Sequence, residues 1–183
     1  MKPGEKWKII FLDVDGVLCI PPAYNGFNKV CMDNLMLLIE KTKAKVVISS
    51  SWRTGKLEDT IKLFPKRLQP YIIGETIRGY KETVEGSSLP ICRGNEIKHW
   101  LDRHVVYPWH AYPELDELYK ERNTDGSFKN MNSNELNVDY TYIILDDAND
   151  MLYTQKDNFI LIKHKFGLIK ENIFEAITKL NKI

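Results

Sequence analysis

Three short apolar runs, each breaking off at a cluster of carboxylates or hydroxyls, constrain this chain more than any other feature. Residues 8–14 (KIIFLDV) lead into Asp15-Gly16, residues 45–49 (KVVIS) into Ser50-Ser51, and residues 141–145 (TYIIL) into Asp146-Asp147. The runs are apolar at consecutive positions, without alternation, so they read as strands buried on both faces, the habit of parallel sheets. FILI at 159–162 makes a fourth strand and YII at 71–73 a short fifth. Helical patterns lie between them. One runs from about Asn34 to Thr42, with Asp33 as N-cap and Leu35, Leu38 and Ile39 on one face. Others are LEDTIKLF, residues 93–101 with Ile97, Trp100 and Leu101 on one face, and the closing GLIKENIFEAITKL with its stripe Ile173, Ile177 and Leu180. Residues 17–30, with Pro21-Pro22 and Asn25-Gly26, read as irregular, and 74–90 as loop with short elements. Strand and helix alternate, which argues for an α/β fold around a mainly parallel sheet.

The 183 residues suit a single domain over 1–183, and 43% hydrophobic with 28% charged residues is the composition of a globular chain. A net charge of +1 supplies no global field to draw the protein to nucleic acid or membrane. The three cysteines, Cys19, Cys31 and Cys92, form no CxxC pair. Reduced thiols, no secretory h-region in MKPGEKWKII and no run long enough to span a bilayer give a cytoplasmic expectation. Residues 103–139 stand apart as a polar, aromatic insertion carrying Tyr107, Trp109, His110, Tyr112, Tyr119 and Phe128.

In an open parallel sheet, ligands bind outside the carboxyl ends of the strands. Those ends carry Asp13 and Asp15, then Ser49, Ser50 and Ser51, then Asp146 and Asp147 with Asp150 beyond, so four or five carboxylates are expected to crowd beside hydroxyls. Such a crowd repels itself unless a divalent cation sits among it. Oxygen donors without His or Cys favour a hard ion, and Mg²⁺ suits few carboxylates plus a phosphate. Asp15, two residues on from Asp13, faces the same side of an extended chain and is placed to protonate a leaving oxygen and then activate water. Arg93, opening a helix, is the cation best placed to balance the developing charge.

These residues resemble the haloacid dehalogenase-like (HAD) superfamily. FLDVDGVL resembles its first motif, VVISSSWR its second, Arg93 in CRGNEIKHWL its third and YIILDDAND its acidic fourth. SSSWR, RGNEI with WL, LDDAND and the closing FGLIKENIFEAI are similar to the subgroup of Swiss Army Knife RNA repair-like HAD domains. The resemblance implies a Rossmann-like three-layer sandwich with a small cap or none. It implies that Asp13 forms an aspartyl-phosphate. Asp15 would be general acid/base with its backbone carbonyl on Mg²⁺. Ser49, or Ser50 if the register shifts, would hold the phosphoryl group with Arg93. Asp146 would bind Mg²⁺, with Asp147 and Asp150 in support. The second aspartate marks phosphatases and phosphomutases in this superfamily and is missing from its dehalogenases.

The expected activity is therefore a magnesium-dependent phosphomonoester hydrolase, a nucleotidase or polynucleotide phosphatase acting on a small phosphate ester, nucleotide or nucleic-acid end. A phosphotransferase, or a non-catalytic module binding a partner through 103–139, are the alternatives; clustered carboxylates argue against the latter. Asp-x-Asp-Gly alone also fits a surface turn or a calcium loop, but the helix–loop–helix context of the latter is absent. The serines could merely cap a helix. Arg53 either touches substrate or pairs with a carboxylate, and Asp147 and Asp150 either support a metal or cap. Trp52 and Trp100 read as core, and His99, His104, His110 and His164 show no ligand spacing. The aromatic insertion fits either base stacking or a loop packed on itself.

Overall fold

The apolar runs do form strands, and all of them enter one sheet. The computed structural model describes residues 7–22, 26–82, 88–102 and 140–182; the insertion at 103–139 lies outside them. In chain order the elements are β1 (Trp7–Leu12), α1 (Lys29–Thr42), β2 (Lys45–Ile48), α2 (Leu57–Lys62), β3 (Ile72–Glu75), β4 (Tyr80–Glu82), β5 (Ser88–Pro90), α3 (Arg93–Leu101), β6 (Tyr140–Asp146), β7 (Phe159–Leu161) and α4 (Lys170–Leu180). The main sheet has the order β3-β2-β1-β6-β7, every neighbouring pair parallel, and β4 with β5 makes a separate antiparallel pair. This is a Rossmann-like α/β architecture.

Consecutive apolar residues are needed because both faces of the sheet are covered. Ile10 and Leu12 pack on one side with Leu35, Leu38 and Ile39 of α1 and with Ile173, Ala176 and Leu180 of α4. Leu57 and Ile61 of α2 rest against the same cluster. Ile9 and Phe11 point the other way, onto Ile97, Trp100 and Leu101 of α3. The Trp100 ring meets Phe11 edge-on at 5.4 Å. Of the closing stripe, Ile177 is only partly buried and Ala176 takes the central place.

One helix begins earlier than its sequence pattern suggests. The residue that caps α1 is Asn28, not Asp33: its side-chain oxygen accepts from the N–H groups of Val30 (2.9 Å) and Cys31 (3.1 Å). Asp33, one turn inside, instead accepts from Lys29 (2.6 Å) and Arg67 (2.7 Å). Among the described residues, no helix is long and apolar enough to cross a membrane.

The strand order reverses at β1. The chain steps outward through β2 to β3, then returns to the other side of β1 as β6 and β7. The crevice above the carboxyl ends of β1 and β6 is thus the topological switch point, where open α/β sheets hold ligands.

Candidate active site

β1 and β6 deliver their acids to that crevice side by side. Leu12 lies opposite Leu145, and the Asp13 N–H continues the ladder to the Leu145 carbonyl at 3.0 Å. Asp13 and Asp146 are buried, and together with Asp147 they offer ligand oxygens all within 4.8 Å of one another. The turn after β1 makes room for the third acid. Gly16 sits at φ +75, and a Cβ there would fall 2.1 Å from Asp147 Oδ2, so both the backbone and the space exclude a side chain.

Arg93 faces this group from the first residue of α3. Its Nη2 is 3.8 Å from Asp13 Oδ1 and its Nε 3.9 Å from Asp146 Oδ2, while Nη1 donates to the Ser49 carbonyl. The helix start is pinned from the loop after β6. Asp150 accepts from the Arg93 N–H at 2.9 Å, and its carbonyl accepts from the Gly94 N–H at 3.3 Å. Asp150 therefore serves as the cap of α3. Gly94 allows this approach, since a Cβ would lie 2.4 Å from the Leu152 nitrogen.

The three consecutive serines divide three tasks. Ser49, fully buried, accepts from the Thr76 hydroxyl at 3.4 Å. The Ser50 hydroxyl accepts from the Trp52 N–H at 3.4 Å and favours the ionised form of the Asp13 carboxyl. Ser51 donates to Asp15 Oδ2 at 3.2 Å, and the Trp52 indole N–H reaches both Asp15 oxygens at 3.1 Å. Of the four or five carboxylates expected to crowd here, three among the described residues converge within 4.8 Å of one another. The chain leaves the strand at Leu12, so Asp15 stands in a turn against the β2 loop, while Asp150 is occupied at α3.

Arg53 resolves to the structural alternative. Its Nη1 is 2.8 Å from Glu96 Oε2, both side chains being buried, and it also donates to the carbonyls of Thr76 (3.0 Å) and Ile77 (2.9 Å). Its Nε donates to the Ser50 carbonyl, and Glu96 Oε1 accepts from the Gly79 N–H at 3.1 Å. One buried ion pair therefore ties the loops after β2 and β3 to α3. Glu96, Thr76 and the polar edge of Trp52 escaped the sequence reading. A signal existed for Glu96, an acid beside Ile97 on the inner face of an amphipathic helix, which must find a partner.

Burial pushes the Asp13 carboxyl up to about 6, with Asp147 adding to the shift while Arg93, Ser50 and the Val14 N–H oppose it. Burial and then the nearby Asp13 push Asp146 up to about 7. One Asp146 oxygen accepts from the Ala148 N–H at 2.9 Å, and the other, Oδ2, is buried with no hydrogen-bond partner. Three carboxylates against one guanidinium leave negative charge in excess when all are ionised. An orphaned carboxylate oxygen in an all-oxygen donor set fits a hard divalent cation such as Mg²⁺.

A family model described as the HAD domain in Swiss Army Knife RNA repair proteins matches residues 9–132. No curated protein and no solved structure matches the chain. The matched span starts within β1, includes the serine loop and α3, and ends before β6, which the fold sets against β1.

Proposed function

The chain belongs to the family of HAD domains in Swiss Army Knife RNA repair proteins, and on that premise we propose that it is a magnesium-dependent phosphomonoester hydrolase with Asp13 as nucleophile. The observation that carries this is the convergence of Asp13, Asp146 and Asp147 beside Arg93 and the Ser50 hydroxyl at the switch point of the sheet. Mg²⁺ held by these three carboxylates, with the Asp15 carbonyl as a further donor, would neutralise phosphate charge so that a carboxylate can approach phosphorus.

The chain's own groups then have defined tasks. Arg93 and Ser50 hold the phosphoryl oxygens, with Ser49 shaping the loop behind them. An Asp13 oxygen forms a bond to phosphorus as the bond to the leaving oxygen breaks, and protonated Asp15 gives that oxygen its proton. Asp15, now ionised, takes a proton from water as the water oxygen attacks the aspartyl-phosphate, releasing inorganic phosphate and restoring Asp13. The family description makes a phosphorylated RNA end the first macromolecular substrate to try, with nucleotides beside it. We place the activity in the cytoplasm on its three free cysteines.

Turnover of an aryl phosphate with Mg²⁺, abolished by EDTA and reduced by about a thousandfold or more in Asp13→Asn, is the expected result. Failure to hydrolyse any of a panel that includes 3′- and 5′-phosphorylated oligonucleotides would defeat the proposal.

A further inference from the structure

Among the described residues, three arginines gather at the carboxyl edge of the sheet, and two of them have acidic company. Arg53 is paired with Glu96, and Arg93 lies beside Asp13 and Asp146. The third, Arg78, follows β3 and is exposed. Its Nη2 donates to the carbonyls of Ser51 and Arg53, and among the described residues it meets no carboxylate. Arg78 stands close to Arg53. Burial first, then the charges of Arg93 and Arg78, hold the Arg53 pKa below its usual value against the pull of Glu96.

The position of Arg78 is informative. Ser51 presents its carbonyl to Arg78 and its hydroxyl to Asp15, at 3.2 Å from Oδ2. The guanidinium and the Asp15 carboxylate are therefore held by the two polar ends of one residue. Since Asp15 protonates the leaving oxygen in the reaction above, Arg78 flanks the leaving group. The acids that fit a metal sit at the ends of β1 and β6. A guanidinium fixed by backbone carbonyls, with Nε and Nη1 making no hydrogen bond to another of the described residues, is suited to a second phosphate.

We propose that Arg78 seats a second phosphate carried by the leaving group, so that the preferred substrate is a phosphomonoester whose alcohol bears another phosphate one sugar away. The inference rests on the phosphohydrolase reading and names its substrate class. A nucleoside bisphosphate and an end-phosphorylated oligonucleotide share this chemistry.

The test uses the full chain with Mg²⁺. Its substrates are adenosine 3′- and 5′-monophosphates, adenosine 3′,5′-bisphosphate, and dinucleotides phosphorylated at the 3′ or 5′ end. The quantity read is kcat/KM for two-phosphate over one-phosphate substrates within each protein. A preference of about tenfold or more, carried by KM, is expected of the unaltered chain. The ratio should fall to about one in Arg78→Met and in Arg78→Gln, stay partial in Arg78→Lys, and shrink with salt. Two variants guard against one that folds poorly. Preference for the dinucleotide alone supports a nucleic-acid end, and preference for the bisphosphate alone supports a nucleotide. An unaltered chain without preference, or a preference that survives removal of the guanidinium, overturns the inference while leaving the hydrolase standing. No turnover of any substrate overturns both.

Discussion

Asp13 and Asp15 are two residues apart and live in unlike surroundings. Asp13 sits among acids with Arg93 and Ser50, whereas Asp15 is met among the described residues by two donors, the Trp52 indole N–H and the Ser51 hydroxyl. Different environments are how two carboxylates acquire different tasks. Trp52 itself is half core: its ring packs on Phe27 and Phe64 at 5.4 and 6.3 Å while its edge holds Asp15. Replacing it with Phe keeps a ring and removes the donor. Without the indole N–H the Asp15 carboxyl is no longer held in one orientation, so on the proposed mechanism Trp52→Phe lowers kcat by about tenfold for alkyl phosphates, whose leaving oxygen needs a proton, and by less for p-nitrophenyl phosphate, whose leaving group does not. Equal losses on both substrates count against Asp15 as the acid.

At the scale of elements, α3 carries Arg93 at its first residue and Glu96 one turn later, and the Arg53–Glu96 pair fixes the helix to the serine loop. Removing one partner strands the other charge in the interior. Arg53→Met is expected to cost about 3–5 kcal/mol. The double change Arg53→Met with Glu96→Leu should cost less than the two single changes added together, since no charge is then left alone. It does not restore full stability, because the Thr76 and Ile77 carbonyls also lose their donor. Denaturant midpoints of the four proteins measure this, and strict additivity overturns the coupling. All three variants should also lose kcat if the pair sets where Arg93 stands.

At the scale of the whole molecule, the buried acids set the pH dependence of stability. Native Asp13 and Asp146 titrate near 6 and near 7, above an unfolded carboxylate at about 4. Between about pH 4 and 7 the metal-free native state holds protons that the unfolded chain has released, so its stability falls as pH rises through that window. Asp33, held down by hydrogen bonds from Lys29 and Arg67, acts the other way, and its contribution is lost only below the unfolded value. Mg²⁺ takes the ionised folded form, so it should raise Tm more at pH 7.5 than at pH 5. Thermal unfolding at both pH values, with and without Mg²⁺, checks this. A larger Mg²⁺ shift at pH 5 contradicts it.

Strand identity, the parallel sheet and the acids at its edge were legible in the sequence, because burial on both faces demands consecutive apolar residues and buried charges need a reason to be there. α3 matches its helical pattern at Arg93–Leu101. The start of α1 was not legible, since Asn28 and Asp33 cap equally well and only the fold determines which one meets the free N–H groups. Nor was the sorting of equivalent residues. Which serine touches Asp13, which aspartates converge and which arginine lacks an acid depend on contacts between β2, β3, β6 and α3, separated by tens of residues. The chemical inventory at the sheet edge is readable along the chain, because composition and periodicity are local. Which members of that inventory face one another follows from the packing, because the order of strands brings β6 to β1 and the buried Arg53–Glu96 pair holds α3 to the serine loop.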